Sequence, residues 1–128
     1  MATASAQFHE PPDELRAETR DRHRSIVSLM EELEAVDWYD QRIDATEDEE
    51  LREILRHNRD EEKEHAAMLI EWLRRVDPTW HEHLTRYLFS ETSFAELTAA
   101  EQGDQPRPDS RTADASLGLG SLTDKEML

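Results

Sequence analysis

The 128-residue sequence predicts an all-α protein. The expected unit is an antiparallel hairpin of two long helices plus a short third helix, two copies of which pair into a four-helix bundle. Three observations lead there. Glycine is scarce, at three residues, and 36% of the chain is charged, which favours helix over a β-sandwich. Two stretches of roughly 30 residues carry apolar side chains at three-and-four spacing. Only a turn-sized segment separates them.

Residues 1–11 read as a loose lead-in. The first helix is expected from Pro12 and Asp13, since proline suits a first turn and acids favour its positive end. It runs to about Ile43 along a seam that includes Leu15, Ser25, Leu29, Glu32, Val36 and Tyr39, and a second row, Ile26, Met30 and Leu33, widens the buried face. Asp44-Ala45-Thr46 is a tight turn, and Thr46 with Glu49 forms a T-x-x-E capping box for the second helix. That helix runs to about Val76, with Leu51, Leu55, Glu62, His65, Leu69 and Trp72 on its seam. Asp77-Pro78 stops it and opens a third helix, PTWHEHLTRYLF. The helical domain is therefore 12–100, followed by a polar, proline-containing linker at 101–115 and a tail at 116–128. A lone hairpin about 45 Å long buries one stripe per helix, too little core for a comfortable monomer. An obligate dimer is expected.

Composition excludes several functions. The 31 acids against 15 bases give a formal net charge of -16, unsuited to nucleic acid but attractive to cations. With no cysteine there is no thiolate metal site, disulfide or cysteine nucleophile. No apolar run is long enough to span a bilayer, and MATASAQFHEPPDE lacks the basic-then-apolar pattern of a secretory signal. A cytoplasmic protein with no membrane partner is expected.

The chemistry lies in the seams. RDEEKEHAAM contains a Glu-x-x-His pair, Glu62 and His65, which a helix places on one face. Glu32 occupies the seam of the first helix, with Tyr39 two turns on. Ionised groups in a core cost several kcal/mol unless paired or bound to metal, and no lysine or arginine shares their stripe within one turn. One chain supplies two carboxylates and one imidazole; a two-fold dimer supplies four and two. That matches the ligand set of di-iron bundles, a Glu from each of two helices and a Glu-x-x-His from each of the other two. Hard oxygens with one imidazole per metal suit iron or manganese. Two further clusters share helix faces: Glu31, Glu34 and Trp38, and His57, Glu61 and Glu64. Each reads either as a weak cation site or as a solvated acidic face. His9, His23, His81 and His83 form no constellation with acids and are read as surface or capping residues.

At these residues the sequence resembles the encapsulated ferritins, cargo proteins of encapsulin nanocompartments. The resemblance covers roughly 9–97, most densely MEELEAVDWYDQR and HNRDEEKEHAAM with EWLRR following, and it extends to the C-terminal end. It implies a half-ferritin hairpin that dimerises into a ferritin-like four-helix bundle, with five dimers in a ring. It implies oxidation of Fe(II) to Fe(III) by dioxygen at a di-iron centre in which Glu32 and His65 bind iron, Glu62 bridges the two irons and Tyr39 lies nearby in the coordination sphere, these four being the catalytic residues. Glu31, Glu34 and Trp38 correspond to an access site for iron, and His57, Glu61 and Glu64 to an outer site for iron or another divalent cation. An open ring cannot enclose mineral, so storage needs the encapsulin shell. The segment Ser116–Leu122, SLGLGSL, resembles encapsulin cargo-loading peptides: leucines can fill surface pockets while glycines let the backbone approach. Many copies on one ring would add avidity.

Two competing readings remain. The same cluster can hold manganese, zinc or calcium without turnover, as a non-catalytic assembly module. Alternatively, the chain is a purely structural acidic helical dimer with no metal in the seam.

Overall fold

The computed structural model describes residues 7–103, which contain four α-helices and no strand. In order these are α1 (Ala17–Ala45), α2 (Glu49–Val76), α3 (Pro78–Tyr87) and α4 (Phe94–Gly103), preceded by a single 3-10 turn at Pro12–Glu14. The described residues divide into two compact units, one ending at Leu84 and the other beginning at Thr85. The expected tail, 116–128, and most of the expected linker, 101–115, lie outside the described residues, as do the first six residues of the lead-in. No described helix is long and apolar enough to cross a membrane.

The first helix starts later than proline placement suggests. Pro12–Glu14 closes as a 3-10 turn through Leu15 N–H to Pro12 O at 3.1 Å, and Leu15 and Arg16 are extended. The Arg20 guanidinium donates to Pro12 O at 3.0 Å and to Leu15 O. A side chain thus serves carbonyls that an uninterrupted helix would have used. Phe8 stacks on His23 at 4.2 Å between ring centroids, tying the lead-in to α1.

The hairpin turn also differs in detail. Asp48, not Thr46, is the N-cap of α2: its Oδ1 accepts from Leu51 N–H at 3.0 Å. Thr46 Oγ1 instead accepts from Asp48 N–H at 3.2 Å, which shapes the turn one step earlier. Arg52 fastens the turn from α2, donating through Nε to Ile43 O at 3.1 Å and through Nη2 to Thr46 O. Asp77 stops α2 and caps α3, its Oδ1 accepting from Thr79 N–H at 2.9 Å.

Helices α1 and α2 pack against each other as the long arms of the hairpin. The buried apolar residues are Ile43, Ala66 and Leu73 alone among those described. The row Ile26, Met30 and Leu33 stays open to solvent, with Leu33 53% exposed. Trp72, Val76, Met68, Leu51 and Ile54 on α2 are also exposed. Among the described residues, a single chain therefore leaves apolar side chains on both arms partly uncovered.

In the second unit, α4 is a helix absent from the sequence-based expectation, and it runs through the first three residues of the expected linker. Ser93 Oγ accepts from Glu96 N–H at 3.2 Å, an S-x-x-E start. Tyr87 O–H donates to Glu101 Oε1 at 2.8 Å, and the Tyr87 and Phe94 rings lie 6.2 Å apart.

Candidate metal centre

Glu32 on α1 faces Glu62 and His65 on α2. Ligand atoms of all three lie within 4.8 Å of one another, and no other group of three or more His, Asp or Glu among the described residues converges this way. His65 Nδ1 is 3.0 Å from Glu62 Oε1 and 3.6 Å from Glu32 Oε1. The i, i+3 spacing brings Glu62 and His65 onto one face of α2. Ala66, next to His65 on α2, is buried. The two glutamate side chains are each 25% exposed and His65 is 47% exposed, so the cluster lies at the rim of the hairpin and opens outward.

The electrostatics are those of a site short of positive charge. Burial raises the Glu32 carboxyl above its ordinary value, and the hydrogen bond and negative charge of Glu62 push the same way. Glu62 moves down, first because Glu32 hydrogen-bonds to it and then through His65. The two carboxylates are coupled, so the opposite directions belong to the pair. His65 is raised above 6.5, first by its hydrogen bond with Glu62, with the Glu32 charge adding to it. A divalent cation among these atoms would compete with protons for the same lone pairs.

The other expected site residues are less concentrated. Tyr39 is half-buried, about 10 Å along the α1 axis from Glu32, and the Arg42 guanidinium sits 5.5 Å from its ring centroid. The same guanidinium is 6.0 Å from the ring of Trp38, which is 40% exposed. Glu31 is exposed and Glu34 half-buried on the Trp38 side of α1. His57 Nε2 and Glu61 Oε2 are 3.1 Å apart on the outer face of α2, where Glu64 is also exposed without completing a three-ligand cluster. His81 Nδ1 lies 2.8 Å from Arg74 Nη1, a local contact of the kind expected for the remaining histidines. Neither Arg42 nor Arg59, whose guanidinium bridges the two helices, stands out by sequence spacing.

A helical hairpin presenting a Glu and a Glu-x-x-His from facing helices has the arrangement from which ferritin-like di-metal carboxylate bundles are built. Comparison with known proteins narrows that class. The EncFtn-like family profile matches residues 7–91, and the chain belongs to the EncFtn-like family. It is 56% identical to an encapsulated ferritin-like protein of Rhodospirillum rubrum, covering 95% of this chain and 91% of that one. It is 36% identical to an encapsulin nanocompartment cargo protein of Myxococcus xanthus, over 77% of this chain and 82% of that one. A crystal structure of a protein from Nitrosomonas europaea superposes with a TM-score of 0.66 at 60% identity, covering 68% of this chain and 97% of that chain.

Proposed function

We propose that the chain is a ferroxidase that completes its centre by dimerisation and delivers oxidised iron for storage inside an encapsulin nanocompartment. The observation that carries this reading is the convergence of Glu32, Glu62 and His65 within 4.8 Å, two carboxylates and one imidazole on facing helices. Two hairpins related by a two-fold axis bring four carboxylates and two imidazoles together, enough to neutralise and hold two Fe(II) ions. The extensive uncovered apolar surface of one hairpin supports that pairing.

Iron is the substrate. Glu32 and His65 hold one Fe(II) ion on each side of the two-fold axis, and Glu62 bridges the pair. Iron binds the carboxylate forms of the two glutamates and a neutral ring nitrogen of His65, so uptake weakens as pH falls. Dioxygen accepts the electrons as Fe(II) becomes Fe(III). Tyr39, from its place farther along α1, lines the approach to the pair. Glu31 and Glu34 beside Trp38 collect incoming Fe(II), and His57, Glu61 and Glu64 hold a more weakly bound divalent cation on the outer face. Five dimers form an open ring, and Ser116–Leu122 docks that ring onto the inner wall of the shell. The relative from Myxococcus xanthus, named as encapsulin cargo, supports the last step.

The test is anaerobic loading with Fe(II), followed by air, with Fe(III) absorbance and dioxygen consumption recorded together. Glu32→Ala, Glu62→Ala and His65→Ala should each slow oxidation about tenfold or more. Oxidation at the unaltered rate in all three would defeat the site assignment. Tight metal binding with no dioxygen consumption would favour the non-catalytic assembly module instead.

A further inference from the structure

The cluster draws Glu32 from one helix and Glu62 with His65 from another, so its geometry depends on how far α1 has slid along α2. A slip of one residue moves a ligand by about 1.5 Å along the axis, enough to break a set of donors that must meet on one ion. Apolar packing between the arms is thin, resting on Ile43, Ala66 and Leu73 as the buried apolar residues. Polar contacts between the arms include, in order from the turn, Arg52 to Ile43 O, Arg59 to Asp40, and His65 and Glu62 to Glu32. The first closes the turn and the last is the site itself. The middle rung is a charged clamp immediately on the turn side of the site.

Arg59 is well placed for that task. Its Nη1 donates to Asp40 Oδ1 across the helices at 3.0 Å, and its Nε donates to Asp60 Oδ1 on its own helix at 3.1 Å. The Arg59 side chain is 23% exposed, against 52% for Asp40 and 62% for Asp60. The Asp60 contact stays within α2, whereas the Nη1 end of the guanidinium reaches α1, and only that second contact joins the arms. Arg59 precedes Glu62 by one turn on α2, so a shift at the clamp is transmitted along a rigid helix to the ligands.

We infer that Arg59 is a positioning residue: through Asp40 it holds α1 and α2 at the axial register in which Glu32 meets Glu62 and His65. The inference rests on the metal-centre reading above. The two carboxylates give an internal control, because Asp40 is the cross-helix partner and Asp60 the same-helix one.

Anaerobic Fe(II) binding to the full chain, measured by calorimetry beside far-UV circular dichroism, tests it. Asp40→Asn and Arg59→Gln should each weaken Fe(II) binding about three- to fivefold with helical content retained, the size expected for one part-exposed ion pair. Asp60→Asn should stay close to the unaltered chain. The exchanged pair Arg59→Asp with Asp40→Arg should recover most of the loss, which a general loss of stability would not. Asp40→Asn binding Fe(II) as tightly as the unaltered chain, or Asp60→Asn weakening it equally, would overturn the clamp. Undiminished Fe(II) binding in Glu62→Ala would overturn the metal centre itself, and the clamp with it. Loss in Glu62→Ala alone removes only the clamp.

Discussion

Leu33→Ala tests the proposed dimer interface. Leu33 lies on α1 next to Glu32 and is 53% exposed in the single chain, so truncation costs the hairpin itself little. In a two-fold dimer the uncovered half of this side chain is buried once in each subunit. Full burial of a leucine stabilises by about 1.5–3 kcal/mol, so completing half of it contributes about 0.8–1.5 kcal/mol per chain. Two copies give about 1.6–3 kcal/mol, and truncation to alanine forfeits most of that. The dimer dissociation constant should rise about 15- to 150-fold. Sedimentation equilibrium over a dilution series reads this directly, and metal-free protein separates packing from bridging by metal. A dissociation constant within about twofold of the unaltered chain would refute the placement of the Ile26–Met30–Leu33 row in the interface, since a rim contact would change that little.

Three further outcomes are expected. Asp48→Ala removes the side-chain cap on Leu51 N–H and should lower unfolding free energy by about 0.5–2 kcal/mol, whereas Thr46→Ala should cost less, as judged by chemical denaturation. Hydrogen bonds from Arg74 and Arg75 hold the Glu71 carboxyl down to about 2, so its contribution to stability is present above the ordinary value of 4.5 and is lost as pH falls from there through about 2. Thermal melts over that window should therefore show a decline that is shallower in Arg74→Gln with Arg75→Gln; an unchanged slope would exclude the Glu71 cluster as its source. Deleting residues 116–128 should abolish loading into a co-expressed encapsulin shell while leaving Fe(II) oxidation intact, and retained loading would place the signal elsewhere.

Much of the hairpin and of the site was legible from spacing alone. Glu62 and His65 are three residues apart, so any helix through them puts both on one face, and the seam positions of Glu32 then fix which arm faces them. The stop at Asp77-Pro78 was equally local, a proline that no helix continues through from before. What spacing did not reveal depends on side chains reaching across the backbone. Arg20 collects carbonyls ahead of α1 and delays its start, and Asp48 outcompetes Thr46 for the cap. The Arg59–Asp40 contact joins residues 19 apart on different helices, which a periodicity on either helix cannot show. Helix α4 did have a local signal in Ser93-Phe94-Ala95-Glu96, masked by the proline-containing run that follows. The Ile26–Met30–Leu33 row was visible as apolar, but one chain does not bury it; in the proposed dimer a second copy would.

The most direct measurement is anomalous scattering at the iron edge from crystals of the assembled protein loaded with Fe(II). Two iron peaks are expected per dimer, each beside Glu32 and His65, with Glu62 between the pair, and with ligands drawn from both chains. Iron confined to the outer face near His57 and Glu61, or no iron peak among Glu32, Glu62 and His65, would contradict the proposed centre.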